Sequence, residues 1–114
     1  MFSGQNRIGR DFFAEIMKSG GRFSTSLFSI KYRNETQRIG MPKFSVVVSK
    51  KISNKATKRN NTKRRVYHAI RELLKENEIS GLPAIIFFVK TDLEKLDFKR
   101  LKLAVEEVFK KIQP

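Results

Sequence analysis

The residues best suited to move a proton, attack a phosphorus or hold a metal are few in this chain: one histidine, no cysteine and eleven carboxylates. A metal-independent ribonuclease needs two histidines, or a histidine and a carboxylate, converging on one phosphate. His68 stands alone, opposite the apolar stripe of the helix predicted around it, and reads as a surface residue. Two-metal phosphodiester hydrolysis needs a convergent carboxylate cluster. Here the carboxylates are scattered: Asp11 and Glu15, Glu76 and Glu78, Asp92 and Glu94, Glu106 and Glu107. Most fall at the ends of predicted helices, where capping accounts for them. No glycine-rich phosphate loop is present. Neither catalysis nor a metal bound by the protein itself is expected. The chemistry on offer is electrostatic. Residues 49–65, SKKISNKATKRNNTKRR, hold eight Lys or Arg in seventeen positions and no acid. Crowded like charges repel in a folded chain, and an anionic partner makes the arrangement favourable.

The whole chain has the same bias, with 25 Lys and Arg against 11 Asp and Glu, a formal net charge of +14. That balance points to nucleic acid first, an anionic membrane surface second and an acidic protein third. A length of 114 residues suits a single domain, 1–114, with one modest core. Hydrophobic content of 39% with ten Phe is enough to fold it. No apolar run approaches membrane-spanning length, and the opening MFSGQNRIGRDFF has no signal-peptide core. With no cysteine to pair, the expectation is a cytoplasmic protein without a membrane role.

Several elements must position these charges. Ile8, Phe12, Phe13, Ile16 and Met17 lie at helical spacing, predicting a helix over 7–18 stopped by Gly20 and Gly21. Phe28, Ile30 and Tyr32 alternate with Ser29 and Lys31 as a half-buried strand. Residues 34–42 are turn-rich. In the next strand Phe44, Val46 and Val48 face one way, and Lys43, Ser45, Val47 and Ser49 the other. A helix is predicted over 56–77, with Gly81 and Pro83 as breakers after it. AIIFFVK, residues 84–90, reads as a central strand buried on both faces, with Phe87 and Phe88 in the core. Thr91 to Glu94 has the pattern of a capping box. A last helix follows, with Phe98, Leu101, Val105, Val108 and Ile112 on its apolar face.

The apolar stripe of the 56–77 helix is Val66, Ala69, Ile70, Leu73 and Leu74. Carried backward by whole turns, that face reaches Lys63 and Arg59, so the first two turns are expected to overhang the sheet. Cations at a helix start oppose the macrodipole, which weakens the reading of a merely solvated face. In the first helix, Phe13 and Met17 lie one step round from Phe12 and Ile16. Either all of these are core, or Phe13 and Met17 wall a groove, floored by Ser45 and Ser49 and rimmed by lysines such as Lys43, that suits a single strand.

VSKKISNKATKRNNTKR resembles the signature of the bacterial ribonuclease P protein subunit, in which V-S-K-K precedes A-x-x-R-N-R-x-K-R on the next helix. Val48, Ser49, Lys50 and Lys51 match it, as do Arg59, Asn60, Lys63 and Arg64. Upstream, Asn6-Arg7-Ile8, then Asp11-Phe12-Phe13 and Gly20, are similar to the family's opening. Departures are Asn61 for the second arginine of the triplet, Tyr67 for a later arginine, Met17 for a groove aromatic, Ser45 for a glycine and Lys43 for an arginine.

The resemblance implies an α+β fold of order α-β-β-β-α-β-α, with a left-handed βαβ crossover, of the type used by ribosomal RNA-binding proteins. It implies that catalysis and magnesium belong to the RNA subunit, and that the partners are that catalytic RNA and the 5′ leader of precursor tRNA. Lys50, Lys51, Arg59, Asn60, Lys63 and Arg64 carry over to the RNA-facing signature, and Phe13 and Met17 to the leader groove. Lys55, Lys58 and Arg65 join the RNA-facing set by charge and proximity. Rival readings are a ribosomal or RNA-chaperone-like protein, a free-standing nuclease, and a DNA-binding helix-turn-helix. The last lacks a helix at turn distance before the basic one.

Overall fold

Alternating apolar residues at 28–32 and 44–48 can bury only one sheet face, whereas the unbroken run at 84–89 can bury two. The computed structural model, which describes residues 8–33, 43–76 and 83–112, builds its sheet on that difference. Its elements are α1 (Arg10–Ser19), β1 (Gly21–Ser24), β2 (Phe28–Arg33), β3 (Phe44–Val47), α2 (Ala56–Glu76), β4 (Ala84–Val89) and α3 (Phe98–Ile112). The sheet order is β1-β2-β4-β3. β4 pairs antiparallel with β2 and parallel with β3, so α2 is the crossover between parallel neighbours and β3 is an edge strand.

One sheet face presents Phe28, Ile30, Phe44, Val46, Ile85, Phe87 and Val89 to α2 and α3, which cover it with Val66, Ile70, Leu101 and Val105 among others. Phe87 is fully buried, with the Phe28 ring 5.3 Å away edge-on and that of Phe109 at 6.5 Å. Burying each such side chain contributes about 1.5–3 kcal/mol. The other face carries a smaller cluster, in which Ile16 of α1 packs on Ala84 and Ile86.

α1 ends where it does because of space. Gly20 has ordinary extended angles, but a Cβ there would lie 2.6 Å from the carbonyl oxygens of both Ile16 and Tyr32. Only glycine lets the helix end pass so close to β2.

Two expectations need additions and two need correction. The strand predicted around 28–32 is one arm of a hairpin; residues 21–24 form the other, and Thr25 closes the turn through Phe28. Phe88 is half-buried on the α1 face, because that helix covers only part of it. No helix begins at Thr91 to Glu94: the Asp92 carboxylate accepts the Glu94 N–H in a local turn, and α3 starts at Phe98. Phe109 joins the α3 core beside Val108. Asn6, Arg7, Glu78, Gly81 and the 34–42 turn lie outside the described residues.

Candidate nucleic-acid interface

At about 100° per residue, α2 presents three faces along its length. The core face is Thr62, Val66, Ala69, Ile70 and Leu73. Burial on that face begins at Thr62, and of Ala56 to Asn61 only Arg59 is even half-buried, so the first turns overhang the core as expected, but their charges do not all point outward. Arg59 instead folds back: its Nη1 donates to the carbonyls of Ser53 and Asn54, at 3.0 Å each. It thereby braces the loop carrying Lys50, Lys51 and Lys55, which are all exposed. The Ser49 carbonyl tightens the same loop by accepting from the Ile52 and Ser53 N–H groups.

One flank of α2 closes against the 93–97 loop and α3. Lys58 pairs with Glu94 at 3.5 Å. Arg65 donates to the carbonyls of Leu93, Leu96 and Glu94. Lys102 of α3 reaches Glu72 at 3.4 Å and also pairs with Glu76, while His68 meets Glu72 at 3.2 Å and the Phe98 ring edge-on. Partial burial would raise the Glu72 carboxyl, but hydrogen bonds and charge from His68 and Lys102 outweigh it and hold the group below its usual value. The hydrogen bond to Glu76 raises Lys102, against partial burial and with help from Glu72.

The other flank stays open. Asn60, Lys63, Arg64, Tyr67, His68 and Arg71 line a cleft of about 890 Å³ with Ile8, Phe44, Ser45 and Val46. No acid lines it. Among the described residues, Lys63, Arg64 and Arg71 have no hydrogen-bond or ion-pair partner. The cleft wraps the free edge of β3, which is satisfied by two local contacts. Val46 N–H donates to the Tyr67 hydroxyl at 3.2 Å, and Ile8 N–H donates to the Phe44 carbonyl at 3.3 Å.

Round that edge lies the α1 face of the sheet. Register puts Arg22, Lys31, Ile86 and Ser45 in one row, and Ser24, Ser29, Phe88 and Val47 in the next. Ile16 is fully buried against the sheet, Phe12 and Phe13 are half-buried, and Met17 is 39% exposed. α1 thus buries one residue completely and leaves aromatic surface beside an open floor. Lys31 donates to the Met17 carbonyl at 3.0 Å, and Arg33 pairs with Glu15 at 3.2 Å, pinning the end of α1. Toward β1 the floor deepens into a shallow cavity of about 460 Å³ that includes Ser24, Ser29 and Phe88. Lys43 is half-buried, its carbonyl accepting the Ile85 N–H at 3.0 Å.

The predicted residues thus separate. Asn60, Lys63, Arg64 and Ser45 come together at the cleft; Phe13 and Met17 stand on α1; Lys58 and Arg65 turn to the closed flank. Sequence reasoning missed Arg71, although its spacing of seven from Arg64 was a usable signal, and Phe88, which a continuous apolar run cannot distinguish from core. No group of three or more His, Cys, Asp or Glu able to hold a metal occurs among the described residues.

A family model for Ribonuclease P matches residues 2–113. Among solved structures, the chain is similar to the RNase P protein of Staphylococcus aureus, with 26% identity over 93% of this chain and 94% of that one, at a TM-score of 0.69. It is similar also to the RNase P protein from Thermotoga maritima, with 26% identity over 92% of this chain and 94% of that one, at a TM-score of 0.71. No curated protein sequence matches it.

Proposed function

Since the chain belongs to the ribonuclease P protein family and serves as the RNA-binding protein subunit of that tRNA-processing ribonucleoprotein, we propose that it divides two RNAs between the surfaces meeting at β3. The open flank of α2, with the Lys50–Lys51 loop, takes the ribonuclease P RNA. The groove between α1 and the sheet takes the single-stranded 5′ leader of precursor tRNA. Phosphodiester cleavage is carried out by the RNA subunit and its magnesium, and the protein contributes binding and charge.

One observation carries this division. On a single helix, the cations of one flank are matched by acceptors of the fold, and Lys63, Arg64 and Arg71 on the other are not. A cationic cleft with no acid among the described residues of its lining lowers phosphate repulsion between two RNA strands held side by side. The groove supports the second half of the reading, because half-buried Phe13 and Phe88 offer ring faces on which bases stack, with serines between. A ribosomal or chaperone role is not favoured by the family match.

Cleavage of a leader-bearing precursor tRNA at low magnesium tests it, using the cognate RNA subunit, the protein, or both. Cleavage that needs the RNA and is stimulated by the protein is the expected result. Cleavage by protein alone would overturn the assignment of catalysis. The leader assignment has its own test. Phe13→Ala should weaken binding of precursor with a leader by about 1–3 kcal/mol and leave mature tRNA unaffected. Equal losses for both would sink it.

A further inference from the structure

We propose that the RNA-contact flank of α2 runs beyond the signature to Arg71, whose guanidinium binds a backbone phosphate of the ribonuclease P RNA. The inference rests on the reading of this flank as RNA-facing. Arg71 lies seven residues past Arg64, two helical turns and about 10 Å along the axis, on the same side. Both residues line the same cleft over the β3 edge.

Among the described residues, nothing gives a structural reason for an arginine at this point. The macrodipole favours cations in the last turn of α2, where Lys75 stands, and its influence fades before Arg71. The nearest carboxylates along the helix, Glu72 and Glu76, face the other flank and are engaged by Lys102 and His68. Arg71 is half-buried, yet no described residue accepts from it. A guanidinium so placed offers a planar fork of donors suited to phosphate. Between the two arginines, the Tyr67 hydroxyl holds the helix to the β3 backbone at Val46, which sets the cations at a fixed height above the edge. Such bracing is what a preformed site requires.

The test is a binding titration of the full chain with its cognate ribonuclease P RNA over a range of KCl concentrations. A residue that neutralises one phosphate adds about 0.7–0.9 to the slope of log affinity against log salt. Arg71→Ala should lower the slope by that amount and weaken binding several-fold, as Arg64→Ala should. Arg71→Lys should keep most of the slope, and Lys110→Ala on α3 should leave it unchanged. If Arg64→Ala lowers the slope and Arg71→Ala does not, the extension is wrong and the flank stands. Unchanged slopes in both would overturn the flank itself. A loss of slope in Arg71→Lys equal to that in Arg71→Ala would mean that charge at this position is not what meets the phosphate, and would also overturn the proposal.

Discussion

The two flanks of α2 are made from the same kinds of residue and are used in opposite ways. On the closed flank, Lys58 and Arg65 meet a carboxylate and three backbone carbonyls of the loop before α3. On the open flank, Lys63, Arg64 and Arg71 stand over a strand edge already closed by Tyr67 and Ile8. Arg64 and Arg65 are neighbours in the chain and fall on different sides of it. Charge density in a sequence therefore measures how much cation a helix carries, while the packing of its neighbours decides how much is left for a partner.

The largest expected effect comes from breaking the open flank. Hydrogen bonds to charged groups contribute about 1.5–3 kcal/mol each, so Lys63→Ala with Arg64→Ala should weaken ribonuclease P RNA binding about a hundred-fold or more. Surface substitutions that remove no internal partner shift stability by about 0.5 kcal/mol or less. The thermal midpoint should accordingly stay near that of the wild type. A large fall in the midpoint would mean that this flank, too, is part of the fold.

Arg65→Ala is the converse. It removes the side-chain donor from three carbonyls, of which Leu93 keeps the Leu96 N–H, at a cost of about 1–3 kcal/mol, and a domain of this size loses about 4 °C per kcal/mol. Its salt slope for RNA binding should match the wild type. A reduced slope with an unchanged midpoint would return Arg65 to the RNA-facing set, where its charge and position in the sequence had placed it, and would break the contrast between the flanks.

These two neighbours also show what the sequence made legible. Helix α2 was readable nearly to the residue, because Val66, Ala69, Ile70 and Leu73 recur at helical spacing and Gly81 and Pro83 follow. The alternation in β3 and the apolar run of β4 were equally plain, since burial imposes their periods directly. What could not be read is which cation finds an acceptor. The carbonyls that hold Arg65 lie 28 to 31 residues away in a loop, and backbone oxygens leave no trace in residue type. Thr91 to Glu94 misled for a related reason: Asp92 serves its own turn at the spacing a helix cap would use. Phe88 was misassigned because α1 covers only part of its sheet face, and no local pattern records how far a helix reaches.

A smaller effect tests the brace between the flank and the sheet. Tyr67→Phe keeps the ring and removes the hydroxyl that accepts from Val46 N–H. Stability should fall by about 1 kcal/mol, the Val46 amide should exchange faster, and the salt slope should be preserved. RNA affinity should drop slightly through looser placement of Arg64 and Arg71. A change in slope would show that Tyr67 itself meets the RNA, and the open flank would then be a contact surface along its whole length.

The smallest expected effect comes from the seam with α3, and its sign follows from two shifted groups. The Glu72 carboxyl titrates near 4.5 in the unfolded chain and lower in the folded one. Between those values the unfolded chain holds a proton that the folded chain has released, so stability climbs with pH. The contribution is complete above 4.5 and disappears as pH falls through the lowered value. Lys102 is raised above its usual 10.5, so its share is complete below 10.5 and is lost as pH climbs through the raised value. Glu72→Gln keeps the shape without the charge. Its small deficit in thermal midpoint should persist through neutral pH and vanish in acid, where the wild-type carboxyl is protonated as well. A deficit that ignores pH would assign Glu72 to packing alone. A salt slope that moves with Glu72→Gln would carry the RNA across His68 onto the seam, because His68 both lines the cleft and meets Glu72. The boundary between the two flanks would then lie at α3, not at the crest of α2.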